Sequence, residues 1–241
     1  MASTFDSLPK PLQSLQLLIE QFRDAEAWEE RDEVLADIIA HDTPEALVFL
    51  RLIANNADED VYTRCDAACG LFVRTQGAEG KDAVLAYLDD PESVYEFCRA
   101  ADAVAEQPVS DAEPKLWAAW KKDLDEEALH STILALEAVA PDAAATKLCA
   151  ELVAQESIET IEVERGSLIL KTLARLKHKD TKPLLVAWEA KLRELAKANP
   201  EDEGDFHDMA DLTNEALQLY DEPNAAEGAT TTVSDDEDDD L

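Results

Sequence analysis

The sequence predicts an all-α fold, and three observations carry that prediction. Apolar residues recur at intervals of three and four along nearly the whole chain, the spacing of an amphipathic helix. Only six of the 241 residues are glycine, while alanine, leucine and glutamate, all good helix formers, abound. The third signal is self-similarity. Val61, Val94, Leu129 and Val163 stand 33, 35 and 34 residues apart. The match continues inside each copy: Cys65, Cys98, Ile133 and Ser167 lie four positions on, Ala68, Ala101, Leu136 and Leu170 seven on, and Leu71, Val104, Val139 and Leu173 ten on. A period of about 34 residues holding two helices marks an α-solenoid, in which each pair buries its apolar face against the next.

Helices are expected, in chain order, at 11–23, 26–40, 44–54, 58–75, 78–88 and 91–106, then at 111–122, 126–140, 142–155, 158–177, 181–198 and 206–220. Breakers and caps set these bounds. Asp42-Thr43-Pro44 opens the third helix, with Pro44 in the first turn, where its missing N–H leaves no bond unmade. Asp89-Asp90-Pro91 opens the sixth, and Pro108 follows its end. No stretch alternates as a half-buried strand does, and no Asn-Gly or Asp-Gly hairpin turn occurs. Residues 1–220 are expected to form one domain. From Glu222 onward apolar content collapses toward Ser234-Asp235-Asp236-Glu237-Asp238-Asp239-Asp240-Leu241, so a disordered acidic tail is expected over 221–241.

The residues after each anchor resemble a known family. Asp60-Val61-Tyr62-Thr63-Arg64 and the small residues that follow look like the second helix of a HEAT repeat. The copy near Pro91 keeps the valine and the paired alanines but has Phe97 where Arg64 stands, and later copies carry Thr132 and Gly166 there. The resemblance covers about residues 44–180 and is a likeness of fold. It implies a right-handed α-solenoid of about five HEAT-like helix pairs with a C-terminal capping helix. It also implies a binding scaffold that works through the concave face lined by second helices, although fold alone does not settle function.

Charge narrows the partner. Asp and Glu number 55 against 21 Lys and Arg, a net charge of −34, and the body without the last twenty-one residues still stands at −25. A field of that sign repels nucleic acid and anionic membrane and attracts a basic protein; the same acidity also serves solubility or adaptation to a salty cytoplasm. Exposed acids on the second helices are the expected contacts: Asp60, Asp66, Glu92, Glu96, Asp102, Glu127 and Glu162. Tyr62, Tyr95 and His130 share one repeat position and align as a ladder, either a recognition stripe at the rim or packing between repeats. Against the trend, Arg165 to Lys197 holds nine basic residues and three acids, with Arg165, Lys171, Arg175, Lys179 and Lys182 forming a candidate basic strip, either a solvated face paired with acids of adjacent helices or a surface for the acidic tail to cover.

Chemistry is not expected. Gly77 and Gly80 are the nearest glycine pair, and no Lys-Ser or Lys-Thr follows them to cradle a phosphate. Cys65 and Cys69 lie one turn apart but without a nearby histidine, so they read as small core residues, as do Trp117 and Trp120. Asp202, Asp205, His207, Asp208 and Asp211 read as acids gathered at a helix N-terminus and not as a cation site. No catalytic residue, metal or cofactor is expected. The four cysteines sit in helical patterns, and no signal peptide or membrane span is visible, so a cytoplasmic protein is expected. Two alternatives stay open: a structural subunit of a larger assembly, and an enzyme like the HEAT-like DNA glycosylases, which would need a cationic cleft.

Overall fold

The computed structural model describes residues 10–155, 162–199 and 203–221. Among them the chain is all-helical. Its elements are α1 (Lys10–Asp24), α2 (Trp28–Ala40), α3 (Pro44–Ala54), α4 (Val61–Arg74), α5 (Lys81–Tyr87) and α6 (Val94–Glu106). These are followed by α7 (Glu113–Trp120), α8 (Glu126–Val139), α9 (Pro141–Val153), α10 (Val163–Leu176), α11 (Lys182–Ala198) and α12 (Glu203–Asp221). The expected start of the tenth helix at 158 and the acidic tail from 222 onward lie outside the described residues.

Caps place the helix starts. Thr43 accepts the Ala46 amide through Oγ1 at 3.3 Å, with Pro44 next to it in the first turn. Asp60 and Asp125 do the same for the amides of Thr63 and Ala128, each at 2.8 Å. The sixth helix begins three residues later than Pro91 suggested. The Asp90 carboxylate takes the Glu92 amide and the Ser93 hydroxyl, holding 90–93 as a turn, so the helix starts only at Val94.

The contacts cluster into two compact units, Met1–Glu151 and Leu152–Leu241, and the division falls inside the single domain expected for residues 1–220. In the first unit α2 packs on α4, α4 on α6 and α6 on α8; α1 packs on α2, α3 on α2 and α4, α5 on α4 and α6, and α7 on α8. The central helix is α4, buried without a break from Cys65 to Phe72. Small residues permit that burial. Gly70 lets Ile39 approach so closely that an added Cβ would stand 2.7 Å from its Cγ1. Gly80, at φ +76°, begins α5 where a Cβ would meet the Ala68 carbonyl oxygen at 2.5 Å. Leu15, Phe22, Leu35, Ile38, Phe49 and Leu50 form the core under α1–α4, with Phe22 set edge-on to Phe49 at 5.5 Å.

Ion pairs join one helix pair to the next. Arg31 reaches Glu59 at 2.5 Å, Arg51 reaches Glu79, Arg74 reaches Asp42 at 3.5 Å and Lys81 reaches Asp111 at 2.5 Å. Lys115 pairs with Asp89, and Lys147 with Glu113 at 3.5 Å. Partners stand between 26 and 34 residues apart, close to the period read from the sequence. Apart from Arg31–Glu59, which is largely covered, each pair has at least one exposed partner and is individually weak. Together they commit six of the twelve lysines and arginines of this unit, leaving its acids in excess. In the second unit α12 packs along both α10 and α11, with Leu185, Trp188, Leu192, Phe206 and Met209 buried between them.

Candidate functional site

The α2, α4 and α6 side of the first unit carries most of the residues that the sequence singled out. It also carries a groove of about 440 Å³ lined by Ile39, Asp42, Gly70, Arg74, Asp102 and Glu106, among others. Helical spacing explains the arrangement. Trp28 and Asp32, Tyr62 and Asp66, and Tyr95 and Arg99 are three (i, i+4) pairs, so each helix puts an aromatic ring one turn ahead of a charged group on the same face.

The rings form a row. The centroids of Trp28 and Tyr62 are 6.2 Å apart with planes at 44°, and Tyr62 meets Tyr95 edge-to-face at 5.0 Å and 77°. Tyr62 stays 44% exposed and Trp28 50% exposed, so the row is not sealed in packing. His130, expected as its next rung, is exposed and stacks on nothing among the described residues. The row runs the other way, to Trp28. Its position 34 residues before Tyr62 was the available signal.

Below the rings sits a buried charge, and here the expectation of exposure is corrected. Asp66 is only 2% exposed. Its two oxygens accept the Tyr95 hydroxyl at 2.8 Å and the Arg99 Nε–H at 2.6 Å. Burial pushes its carboxyl above the usual aspartate range, and the nearby charge of Asp32 adds to this; the Arg99 charge and the Tyr95 hydroxyl oppose them. Arg99 feels the converse: burial would lower its pKa, but the Asp66 charge overcomes this and holds it firmly protonated. Tyr95 is raised by burial and by its bond to Asp66, so its hydroxyl stays a donor. An acid on a helix face 33 residues from an arginine on the next looked solvent-facing because the sequence does not show which pairs cross between helices.

The other candidate contacts divide by environment. Asp60 is a cap, bonded to the Thr63 amide and to the Thr63 hydroxyl at 2.6 Å; these bonds and Arg31 hold it below its usual range against the effect of burial. Glu92 is exposed beside a second hollow lined by Lys122 and Asp125. Glu96 is half-buried, its backbone carbonyl accepting the Cys65 thiol at 3.8 Å. Glu127 and Glu162 are exposed in the first turn of α8 and just before α10. Asp102 is exposed in the groove and, with Glu106 and Asp32, makes no ion pair among the described residues.

Elsewhere, Cys65 and Cys69 lie 4.0 Å apart at their sulfurs, both buried, and hydrogen bonding between them and burial push the Cys65 thiol up. No group of three or more His, Cys, Asp or Glu among the described residues could hold a metal ion; Asp202 lies outside them. Trp120 is buried and donates to Glu151 at 2.7 Å, whereas Trp117, expected in the core, is half-buried under Lys147, whose ammonium lies 4.5 Å from a Trp117 ring centroid. In the second unit Lys171 and Arg175 share a face of α10, Arg165 lies on another face of the same helix, Lys179 is in the following loop and Lys182 opens α11. Arg175 donates to Thr172 at 2.9 Å. No helix is long and apolar enough among the described residues to cross a membrane.

No family model, no curated protein and no solved structure matches this chain.

Proposed function

We propose that the chain is a non-enzymatic binding protein whose helix pairs stack as a right-handed, HEAT-like solenoid, and whose α2–α4–α6 side docks a basic segment of a partner protein. The stacking part draws support from the α2, α4, α6, α8 row of contacts and from ion pairs spaced near one period. One observation carries the docking part. Asp32, Asp102 and Glu106 stand on one side of the molecule without a cation, where the neighbouring arginines are committed, Arg99 to Asp66 and Arg74 to the His41 carbonyl and Asp42. Unpaired acids of this kind raise the association rate and specificity for a cationic partner more than they raise affinity.

Affinity capture from native lysate at low and at high salt, comparing the parent with a variant carrying Asp32→Lys, Asp102→Lys and Glu106→Lys, tests the reading. Basic proteins retained by the parent at low salt should be lost from the variant and from the high-salt arm. An unchanged set of captured proteins sinks the proposal. A second reading, an apolar assembly contact, draws on Val48 and Leu52, one turn apart on α3 and exposed by 52% and 65%. A salt-resistant complex abolished by Leu52→Asp would favour it.

A further inference from the structure

The row of rings differs from a generic acidic surface in being held in place. Asp66 fixes the Tyr95 hydroxyl, Tyr95 sets its ring against Tyr62, and Tyr62 leans toward Trp28. The last two rings do not lie flat on each other: their planes meet at 44° with centroids 6.2 Å apart, a wedge whose two side chains are 50% and 44% exposed. Asp32 lies one turn beyond Trp28 on the same face and close enough to Asp66 and Tyr95 for its charge to act on both. The two arginines nearest in the fold are committed, Arg99 to Asp66 and Arg31 to Glu59, with its guanidinium 4.4 Å over the Phe22 ring. An aromatic wedge beside an unpaired carboxylate is complementary to a flat cation. A guanidinium lays its plane on a ring and turns its N–H edge to a carboxylate, whereas an ammonium is a compact, strongly hydrated point charge.

Resting on the docking reading above, we infer that the Trp28–Tyr62 wedge is the specificity pocket of that surface and takes an arginine side chain of the partner, its guanidinium stacked on the rings and paired with Asp32. Arginine is thereby selected over lysine. The stacking contribution falls in the range of an exposed cation–π contact, and the difference between the two cations amounts to roughly fivefold in affinity.

Titration of the full chain with three fluorescent peptides, identical but for arginine, lysine or the neutral isostere citrulline at every basic position, tests this. Arginine should bind roughly fivefold tighter than lysine, and citrulline should not bind. Tyr62→Leu, at an exposed position that leaves the core intact, should lower arginine affinity more than lysine affinity and so pull the arginine-to-lysine ratio down towards one; Asp32→Asn should weaken both. Equal affinities for arginine and lysine in the parent, or a ratio unmoved by Tyr62→Leu, overturn the pocket and leave the acidic docking surface standing. Failure of both cationic peptides to bind at low salt overturns the pocket and the docking surface together.

Discussion

At the scale of single residues, Asp66 joins stability to the candidate site. Asp66→Ala removes the acceptor for both Tyr95 and Arg99. A destabilisation of about 2 kcal/mol is expected in urea unfolding, less than for a fully buried ion pair because Arg99 remains partly exposed. The pH dependence has a definite sign. Asp66 holds its proton more tightly folded than unfolded, so its contribution is full below the ordinary aspartate pKa of about 3.9 and declines as pH rises through the raised folded value. Asp66→Asn cannot titrate; it should compare worst with the parent in acid and gain on it as the pH climbs through that window. Two glycines make a contrasting pair. Gly80→Ala meets a backbone oxygen at 2.5 Å in a left-handed conformation and should lose about 3 kcal/mol. Gly166→Ala, inside α10, crowds only the flexible end of Met209, with Leu152 at ordinary contact distance of 3.6 Å, and the gain in helix propensity, up to about 1 kcal/mol, should leave it neutral or more stable in a thermal melt.

At the scale of elements, helix positions were legible where side chains near in sequence determine them. Thr43-Pro44 and Asp125 cap helices that begin where expected, and α3 spans the residues expected of it, whereas Asp60 caps a helix expected to start three residues earlier, at Asp58. Asp125→Ala should cost about 1 kcal/mol in thermal unfolding by freeing the Ala128 amide. The sixth helix started late because Asp90 bonds to the turn instead of capping a helix, a choice that local sequence leaves open. The candidate site was legible in part. Tyr62 and Tyr95 were visible as a pair from their common repeat position, and they do touch. Trp28 was missed because the repeat comparison began at Val61, one pair too late, and Asp66 was misplaced because its partners come from α6, a full period away. Contacts within a helix can be counted from spacing; contacts between helices depend on rotation and depth of packing, which a lone sequence does not carry.

At the scale of the whole molecule, 55 acids against 21 bases set two opposing effects of salt. Screening weakens the exposed ion pairs between helix pairs, but it also relieves repulsion across a chain of net charge −34. Because isolated surface pairs contribute little, the melting temperature should rise with added sodium chloride; a fall would mean that the bridges outweigh the repulsion. The packing of the first unit has a further consequence for how it comes apart. Its helices lean chiefly on neighbours close along the chain, so little loop entropy stands in the way of assembly and folding should be quick. By the same token, among the described residues the first pair, α1 with α2, packs against later helices on one flank only, while Cys65–Phe72 of α4 is buried without a break. Unravelling should begin at that open flank and travel inward, with the amides of α4 the last to exchange their hydrogens for deuterium.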